Sequence, residues 1–381
     1  MKTEITDLKN EMLEIDKELA GLFKKRMESA LKMDKLIKEG KLSSTNTNSE
    51  RIIVSKVTEN QNDEMSSYTK VLFNTIFDLG NSYENREVYL NSKEANEIKN
   101  GIESTPKIFP KRASVACQGI EGSNSQFASE KMFNNPNIVF LNSFDAVFSA
   151  VEKGLCQYGM LPIENSLNGS VAEVYDLMKK NKFYIVKSVR MKINHSLLAR
   201  KGTELSDIKD IYSHNQALGQ CSEFLKEIKG IKLNTSENTA IAAKFVSDLN
   251  DHSSAAIATR DCAELYGLSI ISDNIQNNNN NYTRFICISK KMEIYPGANK
   301  TSLMFTVPNK PGALYRIISK FAALGVNITK LESRPIPDKD FEFMFHIDLD
   351  SSVFSEEILN AVCQLESGPE SFVFLGSYLE I

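Results

Sequence analysis

Apolar residues at Ile5, Leu8, Met12, Ile15, Leu19 and Leu22 follow the alternating three-and-four spacing of a helix seam made to pack on another helix. The same spacing then lands on Arg26, Ser29, Met33 and Leu36, so a permanent charge occupies a stripe that should be buried, at a cost. Lys38-Glu39-Gly40 ends this helix, a Ser/Thr/Asn-rich loop covers 43–49, and helical patterns recur over about 50–60 and 66–90. Residues 1–90 therefore read as an all-α domain. The stretch 91–111 is polar, contains Gly101, Pro106 and Pro110, and reads as a linker.

From Ala113 the period changes. Short apolar strands at 113–117, 138–141 and 158–163 alternate with helical stretches at 125–133, 144–153 and 171–180. The alternation resumes through 208–212, 216–228, 239–249 and 255–257, which predicts parallel β-α-β units in a two-lobed α/β domain over 112–292. The asparagine run at 277–281 reads as a flexible loop. A third pattern occupies 299–381: strand 302–307, helix 312–324, strands 328–334 and 341–349, helix 356–365 and strand 372–379. That order fits an α+β ferredoxin-like unit.

At 381 residues the chain is too long for one core, in keeping with this multidomain reading. With 45 basic and 49 acidic residues it carries no polyanion-binding signal, which argues against nucleic acid as a partner. No run approaches the ~18 apolar residues of a membrane span, and the N-terminus lacks the charged-apolar-small order of a signal peptide. A cytoplasmic protein without membrane association is expected. Cys117, Cys156, Cys221, Cys262, Cys287 and Cys363 lie scattered in apolar segments, which favours buried thiols over disulfides or a metal site. His195, His214, His252 and His346 are too dispersed to suggest a metal cluster.

Polar clusters punctuate the middle region. Gly119-Ile120-Glu121-Gly122-Ser123-Asn124-Ser125 sits where a strand hands over to a helix, so amides and hydroxyls there can face an anion. Pro162-Ile163-Glu164-Asn165-Ser166 and Tyr212-Ser213-His214 end other strands, and Asn281-Tyr282-Thr283-Arg284-Phe285 opens an apolar one. Each alone serves equally well as a cap or a solvated pair, but strand ends in open α/β sheets converge on a ligand crevice.

In this order the clusters resemble the prephenate dehydratase family over nearly the whole of 113–290. The match includes Gly169, Tyr175-Asp176-Leu177, His195-x-Leu197-Leu198, Gln216, Gln220-Cys221 and Asn238-Thr239-Ala240. It departs at Asn124, where an aromatic residue is usual, and at Asn215, where proline is common. The resemblance implies a periplasmic-binding-protein-like fold and a carbon–oxygen lyase that converts prephenate to phenylpyruvate, carbon dioxide and water, in phenylalanine biosynthesis. It implies that Thr283 contacts the leaving hydroxyl, supported by Glu164 or His214. Arg284, Ser123 and Ser125 would hold the pyruvyl carboxylate, and Asn165, Ser166, Ser213, Gln216 and Phe285 would complete the substrate site. No metal or organic cofactor is expected. Arogenate is an alternative substrate, differing by an amino for a keto group; a different class of function is an amino-acid sensor without turnover.

Pro311-Gly312-Ala313-Leu314 and Asn327-Ile328-Thr329-Lys330-Leu331-Glu332-Ser333-Arg334-Pro335 resemble the ACT regulatory domain of the same enzymes. This implies phenylalanine as effector, bound by Gly312, Ala313, Leu314, Asn327, Glu332, Ser333, Arg334 and Pro335 between paired domains, in a homodimer or homotetramer. The N-terminal region resembles the all-α chorismate mutases fused ahead of such enzymes, on Glu14-Ile15-Asp16, Leu22-Phe23 and Lys25-Arg26. Arg26 and Glu50 match family residues, but Lys9 stands for an arginine, Ile37 for the ether-binding lysine, Asn46 for an aspartate, Ser49 for an arginine, Gly80 for a serine and Glu84 for a glutamine. A shift of one residue would offer Lys38 and of two Arg51, each step turning a helical side chain by about 100°. With the ether donor missing, little or no mutase activity and a role in dimerisation are expected; a fully bifunctional enzyme is the alternative.

Overall fold

The computed structural model of the chain describes residues 2–38, 47–336, 343–365 and 371–381. The seam beginning at Ile5 lies on one continuous helix, α1 (Lys2–Lys38), followed by α2 (Thr47–Thr58) and α3 (Asp63–Glu84). Asn62 caps α3 by accepting the Met65 amide at 2.8 Å. Both α1 and α2 pack on α3, yet Ile5, Leu8, Met12, Ile15, Leu19 and Leu22 stay exposed. Asn46 and the first part of the 43–49 loop lie outside the described residues.

The linker expectation needs correction. Helix α4 (Arg86–Leu90) leads into α5 (Lys93–Ser104), which starts at Ser92, whose hydroxyl accepts the Ala95 amide. Most of α5 is polar, but Ala95, Ile98 and Gly101 recur every three residues and are buried. Ala95 and Ile98 share one apolar core with Ile317, Phe321, Ile358 and Phe374 of the C-terminal region. The narrow apolar stripe reads as a linker because it becomes a face only when a second body is laid against it.

The first lobe of the middle region contains β1 (Ser114–Gln118), α6 (Asn124–Met132), β2 (Asn137–Leu141), α7 (Phe144–Glu152), β3 (Tyr158–Asn165), β4 (Gly169–Ser170), α8 (Ala172–Lys180) and β5 (Tyr184–Lys192). The chain crosses to a second lobe of β6 (Ser196–Arg200), β7 (Asp210–Ser213), α9 (Asn215–Gln220), α10 (Ser222–Glu227), β8 (Lys232–Thr235), α11 (Thr239–Leu249), β9 (Ser254–Ala258), α12 (Asp261–Leu265) and β10 (Leu268–Ser272). It then returns to the first as β11 (Tyr282–Ser289). Strand β1 runs parallel to β2 and β3, and β7 runs parallel to β8 and β9, as the β-α-β reading predicts. The sheets are nevertheless mixed. Strand β11 lies between β3 and β5 and is antiparallel to both, and β6 is antiparallel to β9 and β10. A strand that arrives by a loop from the other lobe is not bound by the direction a helical crossover imposes.

The C-terminal region folds as β12 (Lys300–Thr306), α13 (Ala313–Ala323), β13 (Ile328–Pro335), β14 (Phe343–Leu349), α14 (Glu356–Gln364) and β15 (Phe372–Glu380). Its antiparallel order β13-β14-β12-β15 is that of a ferredoxin-like sheet. This sheet continues into the first lobe, because β15 pairs with β5 at Leu379↔Lys187 and Glu380↔Ser188. Gly376, at φ 140°, makes the approach: a Cβ there would fall on the Ile185 carbonyl oxygen. Met304, Met344, Leu375 and Tyr378 then bury against Ile163, Tyr175 and Ile185 in a core the two regions share.

Candidate active site

A cleft of about 530 Å³ opens between the lobes, within the ordinary range for small-molecule sites. Ser123, Asn124, Ser125, Pro162, Asn165, Thr283 and Phe285 line it from the first lobe. His214, Gln216, Gln220, Asn238 and Thr239 line it from the second, and Ile193 and His195 from the crossing between them. The first turns of α6, α9 and α11 thus face one space, each presenting the positive end of a helix. Among the described residues no lysine or arginine lines the cleft; its charged residues are Glu173 and Glu237. Ser123 caps α6 without a side-chain hydrogen bond, and its buried hydroxyl has no partner, nor has Asn238 Nδ2.

Thr283 is oriented by a connected polar chain. Asn165 Oδ1 accepts the Leu167 and Asn168 amides, both at 3.0 Å, so its Nδ2 must turn the other way. That nitrogen donates to Asn281 Oδ1 at 2.8 Å and to Thr283 Oγ1 at 3.0 Å. With its oxygen accepting, Thr283 has its own proton left to donate. Asn281, fully buried, donates in turn to Gln220 Oε1 at 2.9 Å. The same oxygen lies 2.8 Å from His195 Nε2, which must carry the proton there and leave Nδ1 bare and unpartnered. Burial lowers the pKa of His195, opposed by the bond to Gln220, and burial likewise lowers that of His214. Both imidazoles are therefore neutral at pH 7. The Gln216 amide donates to His214 Nδ1 at 3.4 Å, which places the His214 proton on Nε2.

The structure brings together Ser123, Ser125, Asn165, His214, Gln216, Thr283 and Phe285, and sets four expected site residues elsewhere. Arg284 is turned to the opposite face of β11 from the cleft, 5% exposed, with its Nη1 2.7 Å from Asp348 and 3.3 Å from Glu164. The Asp348 contact is a charge pair without the alignment of a hydrogen bond. Glu164 is occupied by Arg284 and by Lys330 at 2.6 Å, and does not line the cleft. Ser213 is buried and donates to the Ile257 carbonyl, while Ser166 donates to the Asn280 carbonyl and accepts from Tyr282; both fasten backbone. His195, Gln220 and Asn281 were visible within the motif strings, but their part in the site depends on side chains meeting from three separate segments.

Gly312, at φ 79°, opens α13 ahead of Ala313 and Leu314. On β13, burial alternates so that Lys330, Glu332 and Arg334 are half-buried and Ser333 and Pro335 exposed. The half-buried set meets the first lobe: Glu332 accepts from Ser170, and Arg334 lies 3.2 Å from Asp176. The Asn327 carbonyl accepts the Asp350 amide at 2.9 Å. In the N-terminal helices, Arg26 stacks over Phe77 at 5.1 Å, and a Cβ on Gly80 would stand 3.5 Å from Arg26 and 3.9 Å from Glu84. Lys9 is exposed and Glu50 half-buried. Among the described residues no group of acidic, histidine or cysteine side chains is placed to hold a metal, and no helix is long and apolar enough to cross a membrane.

The prephenate dehydratase family model matches residues 115–293, and the ACT domain model matches 301–366. The chain is 36% identical over 315 residues to arogenate dehydratase/prephenate dehydratase 2, chloroplastic, of Arabidopsis thaliana, covering 76% of this chain and 82% of the relative. It is 30% identical over 342 residues to the bifunctional chorismate mutase/prephenate dehydratase of Buchnera aphidicola, covering 86% of this chain and 89% of the relative. That span is too long to be confined to 91–381 and reaches into the N-terminal helices. The crystal structure of prephenate dehydratase in complex with L-Phe from Arthrobacter aurescens matches with a TM-score of 0.64 at 28% identity, over 70% of this chain and 89% of that one. The chain is a dehydratase enzyme of the lyase type and belongs to the prephenate dehydratase family.

Proposed function

We propose that the cleft dehydrates and decarboxylates prephenate, with Thr283 as the donor to the departing ring hydroxyl. The observation that carries this reading is the bond from Asn165 Nδ2 to Thr283 Oγ1 at 3.0 Å, which leaves the threonine proton for a ligand in the cleft. As the carbon–carbon bond to the ring carboxylate breaks, its electron pair enters the ring and the carbon–oxygen bond breaks, so the hydroxyl takes up one proton and departs as water. His214 is the candidate source of that proton in its imidazolium form, reached by taking up a proton from solvent, because the neutral ring would be left as an imidazolate; Glu164, held by Arg284 and Lys330, is not. Phe144, Pro162, Ile193 and Phe285 supply apolar wall against which a carboxylate loses solvation and fragments more readily. The remaining carboxylate is met by the helix ends at Ser123 and Asn238.

Arogenate is the second reading. Glu173 and Glu237 line a cleft to which no lysine or arginine contributes among the described residues, and a side-chain ammonium suits such walls better than a keto group. Phenylalanine as effector of the C-terminal domain is supported by Gly312 and the β13 segment, and by the L-Phe complex of the related enzyme. Mutase activity is weak or absent in this reading, because Ile37 stands where the ether donor is needed and Gly80, which lies beside Arg26 and Glu84, brings no side chain to the site. The exposed seam of α1 suits a second copy of the chain. One set of assays tests the whole: product formation from prephenate, arogenate and chorismate, each with and without phenylalanine. Phenylpyruvate from prephenate, suppressed by phenylalanine, is the expected result; turnover of neither cyclohexadienyl acid would overturn the reading.

A further inference from the structure

Strand β11 separates two environments. Thr283 and Phe285 enter the cleft, and Arg284 between them points to the back of the sheet, as the period of a strand requires. That back is covered by the C-terminal domain. Arg284 meets Asp348 of β14 at 2.7 Å and Glu380 of β15 at 3.6 Å, besides Glu164 of its own lobe at 3.3 Å. Arg284 and Asp348 are each 5% exposed. Glu164 in turn holds Lys330 of β13 at 2.6 Å, and Lys330 donates at 2.8 Å to Ser170, which lines the cleft. Two walls of the cleft, one bearing Thr283 and one bearing Ser170, are thus fastened from behind by charged groups of the C-terminal sheet.

We propose that Arg284 is a positioning residue that ties the Thr283 strand to the C-terminal sheet, and that it does not grip substrate. The assignment rests on the dehydratase reading of the cleft. A buried guanidinium between carboxylates of two bodies acts as a unit with them, since removing one partner strands the other. Displacement of the C-terminal sheet therefore either carries β11 along or breaks the contact, and misplacing a catalytic group by about 1 Å can cost on the order of 10²-fold in rate. The Lys330 and Glu332 contacts place the β13 segment on the same lattice, so an effector bound there acts on Thr283 through Glu164 and Arg284.

The test uses the full chain as wild type, Asp348→Asn, Arg284→Met, and the paired Arg284→Met/Asp348→Leu, which removes both buried charges and so remains foldable if the single arginine variant does not. The paired variant, folded by circular dichroism, should lose about tenfold or more in kcat with KM within about twofold, and its phenylalanine inhibition midpoint should shift about fivefold or more. Asp348→Asn, outside the cleft, should lower kcat on its own, and the paired variant should fall little below it. A tenfold rise in KM on Arg284→Met with Asp348→Asn unchanged would make Arg284 a substrate clamp. Wild-type kinetics and inhibition in the folded paired variant would reduce the contact to a structural ion pair. If the wild type turns over neither prephenate nor arogenate, the dehydratase reading fails; amide exchange of residues 282–289 then decides the anchoring, faster in Asp348→Asn if it holds and unchanged if it does not.

Discussion

Asn165 presents its amide nitrogen to Thr283 because its oxygen is already committed to the Leu167 and Asn168 amides, so a turn that looks merely structural sets the direction of the Thr283 hydroxyl proton. Thr283→Ala is expected to lower kcat by about 10²–10³-fold, the scale of one preorganised donor. Asn165→Leu should lower it by about tenfold or more, and the double variant should fall little below Thr283→Ala, since both remove one interaction. Steady-state kinetics on the three proteins checks this; additive losses would mean that Asn165 acts elsewhere. His346, packed edge-to-face against Tyr175 with ring centroids 4.4 Å apart, gives a pH prediction. Burial first, then Lys330, pushes its pKa down from 6.5 to about 3. The unfolded chain takes up this proton at a higher pH than the folded one, so the contribution is whole above about pH 6.5 and is lost as pH falls toward 3. Between pH 7 and 5, His346→Gln should lose less unfolding free energy than wild type, by on the order of 2 kcal/mol in denaturant titrations. At this scale the motif picked out Thr283 and Phe285, both of which line the cleft. Arg284 was not placed correctly, because a short motif gives adjacency along the chain and leaves open which face of the strand meets the cleft.

Elements join this molecule where their sequences are least conspicuous. Helix α5 is polar apart from Ala95, Ile98 and Gly101, and β15 approaches β5 only because Gly376 has no side chain. Gly376→Ala should disrupt β15–β5 pairing, lowering the thermal midpoint and, through Arg284, reducing kcat; an unchanged melting curve would show that the strands separate at no cost. The legible elements were the long periodic ones: the α1 seam, the β-α-β runs and the ferredoxin-like order. The linker reading failed at α5 because a single buried stripe on one short helix gives too little periodic signal to stand out from polar sequence. The parallel-sheet expectation was incomplete at β11 because strand direction there is set by a return from the other lobe.

At the scale of the whole molecule the C-terminal domain and the first lobe form one packed body. They share a sheet through β15 and β5, a core around Tyr378 and Ile185, and the carboxylates on Arg284. A chain ending at Lys291 would expose that core and leave Arg284 without Asp348 and Glu380. It is therefore expected to be poorly folded or at least tenfold slower than the full chain, because breaking a buried pair costs on the order of 3–5 kcal/mol. Expression, circular dichroism and turnover of the truncated chain check this, and a well-folded protein of full activity that merely ignores phenylalanine would show two independent modules. The sequence by itself determined the succession of regions, the family and Thr283 as the residue to test, since periodicity, turn chemistry and motif order are written along the chain and survive without knowledge of what packs on what. Only the tertiary structure decided that Arg284 and Glu164 face the C-terminal sheet and that His195, Gln220, Asn281 and Asn165 form one chain behind Thr283. The physical reason is the same in each case: buried charge pairing and hydrogen-bond direction depend on side chains distant in sequence being brought within about 3 Å of one another, and local pattern carries no record of that meeting.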